Sequence, residues 1–200
     1  MFKSILAAAA LCATMGVNAQ VTGSLGGGFG SFLMLSGSGL NGGAVATLSG
    51  GTVLNSDQPF ADIPKGGVFG GNFLAVGPTT GSPATLSFTG GGVDYISFLW
   101  GSPDTYNALT VTSTGGSQSF STASLGFSVS NGDQSFSQYV QFSGVAGSKI
   151  TGLTFNNVPS IDAFETANYS ITPVPEPETY ALMLAGLAAV GFMARRRKIA

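Results

Sequence analysis

Two short stretches of this chain hold the side chains best suited to chemistry. Asp104 and Asn107 form one, Asp162 and Glu165 the other. Carboxylates and amides are hard oxygen donors, the kind calcium takes from loops between strands. Neither spacing repeats an EF-hand loop, so calcium is an option at these four residues and no metal or cofactor is assigned. Two acids facing one glycosidic bond could also act as a glycosidase pair, provided the fold sets Asp104 opposite Glu165. Trp100 and Tyr106 offer rings on which a sugar could stack. Trp100 shares a strand face with Ile96 and Phe98, which favours the core. Tyr106, next to a turn at Pro103 and Asp104, is the better exposed of the two.

The rest of the composition removes most catalytic machinery. The chain has no histidine and a single cysteine, Cys12. Nucleophile–histidine catalysis, imidazole proton transfer and histidine-ligated metals are excluded. So are an internal disulfide and a cysteine-cluster zinc site. The expectation is a protein that is not an enzyme. Charged residues make up 8 % of the chain, against about 25 % in an average domain, and glycine numbers 31. That excludes a coiled coil, and seven basic residues do not make a nucleic-acid surface. Residues 20–172 hold only Lys65 and Lys149 against seven acids, a net charge of −5 where the whole chain carries −2. Such a domain is repelled by anionic lipid and nucleic acid.

These residues need strands to position them. Ala84, Leu86 and Phe88 alternate with Thr85 and Ser87, and Ile96, Phe98 and Trp100 with Ser97 and Leu99. The same period recurs at Leu109–Val111, Phe136–Phe142 and Thr151–Phe155, with glycine-rich turns between. No helical period appears in 20–172. The pattern predicts an all-β chain: one antiparallel β-sandwich, jelly-roll-like, over residues 20–172, with fifteen phenylalanines in the chain to fill its core. The stretch 23–51 reads either as strands or as a flank. Gly37-Ser38-Gly39-Leu40-Asn41-Gly42 matches G-x-G-x-x-G, but 43–48 reads as a strand where a nucleotide site needs a helix, so a hairpin turn is expected. Asn168-Tyr169-Ser170 fits a glycosylation acceptor and reads as an ordinary strand end.

Both ends read as addresses. Lys3, the apolar run 5–15 and the small residues before a cut between Ala19 and Gln20 form a secretory signal over 1–19, for signal peptidase. Residues 173–200 combine a proline-rich stalk, an apolar helix at 180–194 and a basic tail at 195–198. Fifteen helical residues rise roughly 22 Å, short of a ~30 Å hydrocarbon core unless Tyr180 and the arginine stems extend the reach. The basic tail stays cytoplasmic, which leaves 20–178 outside. Val174-Pro175-Glu176-Pro177, the short helix and Arg195-Arg196-Arg197-Lys198 together resemble the PEP-CTERM sorting signal. The resemblance implies an exosortase partner, a transpeptidase-like membrane enzyme. It also implies transient anchoring in the inner membrane of a Gram-negative bacterium, and release to the cell surface or matrix. Pro175, Glu176 and Pro177 would be the recognition triplet and Arg195, Arg196 and Arg197 the retention signal.

Trp100-Gly101-Ser102-Pro103-Asp104-Thr105-Tyr106-Asn107 resembles a Trp-Gly-Ser-x-Asp-x-Tyr-Asn signature of one subgroup of exosortase-dependent surface proteins. In that subgroup a later Ala-Phe-Glu-x-Asp-Asn stretch precedes the signal. Here it reads Ala163-Phe164-Glu165-Thr166-Ala167-Asn168, with Ala167 in place of the acid. The subgroup carries no biochemical role to transfer. The expected function is a secreted structural or adhesive protein of exopolysaccharide or biofilm. A carbohydrate-binding module is the alternative, and a carboxylate-dependent glycoside hydrolase a weaker one.

Overall fold

The computed structural model describes residues 20–172, 183–187 and 190. The expected signal segment with Ala19, the sorting residues Val174, Pro175, Glu176 and Pro177, and the tail Arg195, Arg196, Arg197 and Lys198 lie outside the described residues. Within the expected membrane helix, 183–187 and 190 are helical and exposed. Among the described residues no helix is long and apolar enough to cross a membrane.

In chain order the strands are β1 (Val21–Leu25), β2 (Leu35–Ser36), β3 (Gly39–Leu40), β4 (Ala46–Ser49), β5 (Thr52–Leu54), β6 (Phe73–Val76), β7 (Ala84–Phe88), β8 (Tyr95–Gly101), β9 (Asn107–Ser113), β10 (Gly116–Ser121), β11 (Ser137–Gly144), β12 (Ile150–Asn157) and β13 (Phe164–Ser170). One sheet runs β1-β11-β8-β13-β6-β5 and the other β10-β9-β12-β7-β4-β3-β2. The pairings within both sheets are antiparallel. Residues 20–172 thus form an all-β sandwich, as their alternation predicts. The G-x-G-x-x-G stretch is the β2–β3 hairpin, with Leu35 opposite Leu40, followed by a turn of 3-10 helix at Asn41–Gly43.

The core lies between the sheets and is largely aromatic. Phe98 of β8 meets Phe155 of β12 edge-on at 5.6 Å between ring centres. Phe155 meets Phe164 of β13 at 5.2 Å, and Phe120 of β10 meets Phe142 of β11 at 4.9 Å. Such tilted pairs add to the burial of apolar area that drives the sheets together. Trp100 stacks on Phe164 at 4.2 Å and is wholly buried.

A third layer covers the outer face of the six-stranded sheet that contains β8 and β13. As a result β6, β8 and β13 are buried on both faces, and the polar side expected on β8 at Ser97 does not face water. Residues 26–33 lie across β8 and β11. Gly28, in the left-handed region at φ +76°, sits where a Cβ would come within 2.6 Å of the Tyr139 ring. Leu33 N–H donates to the Tyr169 carbonyl at 2.8 Å. Further along, Ala61, Phe73, Ala75, Ala163 and Ala167 form a second apolar cluster with Leu54, Phe60 and Val68 packed on it. This cluster seats the 54–68 segment on β6 and β13. The stretch 23–51 therefore supplies the end of β1 and all of β2 to β4, together with part of this covering layer.

Candidate functional site

At one rim of the covering layer, four segments meet around a pocket of about 300 Å³: 59–62, the β8–β9 turn, 131–134 and 162–165. Asp62, Asp104, Asp162 and Glu165 line it, with Ser102, Tyr106, Asn131 and Gln134, and with Phe60 on the apolar side. None of the lining residues is basic. Three of the four oxygen donors singled out from the sequence thus share one pocket, together with Tyr106.

Asn107 does not join them. It lies beneath the pocket, 1 % exposed, with both ends of its amide engaged. Its Oδ1 accepts Trp100 Nε1–H at 3.2 Å and Asp104 N–H at 2.8 Å, and its Nδ2 donates to Asn157 Oδ1 at 3.0 Å. Asn157 Nδ2 in turn donates to the carbonyls of Val76 and Ile161 at 2.9 and 2.6 Å. This chain of amides fixes the β8–β9 turn and the 158–163 segment to the core. Trp100 is likewise unavailable to a sugar: its ring is sealed between the sheets and its one polar atom is spent on Asn107. Of the two rings considered for stacking, only Tyr106 reaches the pocket.

Each acid in the pocket has a different setting. Asp162 is turned to Thr79, whose N–H and Oγ1–H donate to its carboxylate at 3.2 and 2.5 Å. Its peptide bond to Ala163 is cis. Its carbonyl accepts the Tyr106 hydroxyl at 2.9 Å. Burial, and then the neighbouring Asp104 carboxylate, push that phenol well above its usual range. The Asp104 carboxylate lies over Gly132, with both oxygens 3.0 Å from where a Cβ there would sit. Gly132 is at φ +73°, and its N–H donates to the Pro103 carbonyl at 3.1 Å. Asp62 is raised by partial burial and by Asp57.

Glu165 is the least solvated acid of the pocket. It is 3 % exposed; its Oε1 accepts Asp62 N–H at 3.4 Å, and its Oε2 has no hydrogen-bond partner. Burial pushes its carboxyl up to about 8, with Asp62 and Asp104 adding to the effect. It therefore holds its proton at neutral pH. Among the described residues no group of three or more His, Cys, Asp or Glu side chains could hold a metal ion.

The sequence reading missed Asp62, Asn131 and Gln134, which lie in irregular segments with no periodic signal. It also missed a groove of about 570 Å³ along the edge strands β2 and β5. Ser36, Thr52, Asn55, Ser56, Gln58 and Asn72 line that groove, and no lining residue is charged.

Residues 173–198 match the family model of the PEP-CTERM protein-sorting motif. The chain carries a PEP-CTERM sorting signal. The match includes Val174, Pro175, Glu176 and Pro177 and the tail Arg195 to Lys198. The PEP-CTERM signal implies processing by exosortase, a membrane protease, and sorting to the cell surface through a membrane anchor. It marks the route and leaves the chemistry of the sandwich to the pocket. No curated protein and no solved structure matches the chain.

Proposed function

We propose that residues 20–172 form a glycan-binding surface domain, which the PEP-CTERM route delivers into the exopolysaccharide of a Gram-negative bacterium, where it acts as an adhesive or scaffold. The observation that carries this reading is the polar pocket at the rim of the sandwich. It gathers carboxylates, side-chain amides, hydroxyls and the rings of Phe60 and Tyr106 from four separate segments. Such a mixture suits a sugar, which presents hydroxyls at its edges and C–H groups on its faces. The signal peptide and the transient inner-membrane anchor belong to the same reading. Pull-down of the purified chain on exopolysaccharide tests it. Retention that Asp104→Asn reduces supports the proposal. A chain that binds no glycan, and whose deletion leaves the matrix unchanged, defeats it.

The raised proton affinity of Glu165 favours a second reading, a hydrolase with Glu165 as acid and Asp104 as its partner carboxylate. Release of new reducing ends from the bound polysaccharide, lost in Glu165→Gln, would establish it. Intact polysaccharide after prolonged incubation would exclude it.

A further inference from the structure

We propose that the rim pocket recognises a free ammonium group, carried by an amino sugar that lacks its N-acetyl group. The proposal rests on the glycan-binding reading and names the sugar class.

Two observations point to the ligand. First, Asp62, Asp104 and Glu165 are brought from three distant parts of the chain to one pocket, and none of the residues lining it is basic. Carboxylates gathered this way repel one another, and Glu165 keeps its proton, unless a cation takes that proton's place. Second, Glu165 is 3 % exposed and its Oε2 lacks any partner. A buried polar atom left unsatisfied is uncommon and costly, and a ligand that donates hydrogen bonds beside it relieves the cost.

An organic cation suits this pocket better than a metal ion. Among the described residues no acid cluster could hold a metal ion. An ammonium needs no such cage, because it donates three hydrogen bonds as a compact charge. The Tyr106 and Phe60 rings add faces that favour a cation. The net charge of −5 over residues 20–172 works against a uronic-acid polymer at the same place.

Calorimetric titration of the full chain tests the proposal, using glucosamine oligomers, N-acetylglucosamine oligomers and neutral cello-oligomers. The glucosamine oligomer is expected to bind at least about tenfold tighter than the other two and to weaken as salt rises. Asp104→Asn, and Glu165→Gln, whose amide cannot give up a proton to the ammonium as the acid can, are expected to abolish that preference. Asp94→Asn removes an acid at the opposite end of β8, one that pairs with Lys149 at 2.6 Å, and is expected to leave it intact. Thermal unfolding of each variant establishes that it is folded, and Asp104→Ser substitutes for any variant that is not. Equal binding of N-acetylated or neutral oligomers would overturn the ammonium assignment while leaving the glycan reading standing. An equal loss in Asp94→Asn would overturn it as well, by showing attraction to overall charge. Absence of binding to all three oligomers and to exopolysaccharide would defeat both.

Discussion

Asn107 Oδ1 accepts the Trp100 indole N–H at 3.2 Å and, on the same atom, the Asp104 backbone N–H at 2.8 Å. One oxygen thus joins the centre of the aromatic core to a wall of the rim pocket. Trp100, Asp104 and Asn107 are three positions of the Trp-Gly-Ser-x-Asp-x-Tyr-Asn stretch, and the fold makes one unit of them. Its spacing holds a turn open over a buried amide. Replacing Asn107 by alanine leaves three donors or acceptors unpaired in a water-free site. Asn107→Ala is expected to cost about 2–4 kcal/mol, read as a lower denaturation midpoint with little change in slope. An unchanged midpoint would show that the amide chain does not hold the turn.

Stability should fall as pH rises, and Glu165 sets the window. Its folded carboxyl titrates at about 8 against an ordinary 4.5, so the folded state keeps a proton that the unfolded chain has released. The stability linked to this proton is complete below about 4.5 and is lost progressively as pH rises through about 8. Each unit of difference corresponds to roughly 1.4 kcal/mol. Melting temperatures of the wild type are expected to drop across this window. Those of Glu165→Gln, which mimics the protonated acid, should stay nearly level. Parallel curves for the two proteins would refute the assignment.

Asn168 controls the covering layer. It sits at φ +54° where the pairing of β13 with β8 shifts register, in a left-handed conformation that asparagine tolerates better than most residues. From there its Oδ1 accepts Phe69 N–H at 2.6 Å, while its Nδ2 donates to the Gly67 carbonyl and the Tyr139 hydroxyl at 2.9 and 2.8 Å. With both ends of its amide engaged and 6 % exposure, it is a buried tether and not a free glycosylation acceptor. In Asn168→Ala, hydrogen exchange is expected to accelerate in residues 66–70 while β9 and β12 keep their protection. Uniform acceleration across the domain would mean that the tether is part of the global fold.

The sorting signal makes a separate prediction. Glu176→Ala is expected to leave the chain unprocessed and held at the membrane, seen as a larger band in the membrane fraction. Normal size and location of that variant would remove Glu176 from the recognition step.

Much of this protein is determined by local sequence. The alternation at 84–88 and 109–112 falls in β7 and β9, because each of these strands has one face on the core and one toward polar surroundings; in β12 it holds over 153–157, whereas a bulge between Ile150 and Gly152 takes Thr151 out of the core-facing row expected of it. The motif at 173–198 is equally local, since a proline-rich stretch, an apolar run and a basic tail are recognised as a linear string. Strands β6 and β13 carry no alternation, because the covering layer buries both of their faces and removes the need for a polar side. The pocket lies further still from the sequence. Asp62 and Glu165 are 103 residues apart, yet the Asp62 N–H meets the Glu165 carboxyl. Their encounter depends on the alanines and Phe73 of the second apolar cluster, which hold one segment down on the other. The linear order showed four oxygen donors of equal standing. Tertiary packing buried Asn107 as a strut, turned Asp162 toward Thr79, kept Asp104 at the rim and enclosed Glu165, because burial and hydrogen-bond partners are assigned only when the layers close.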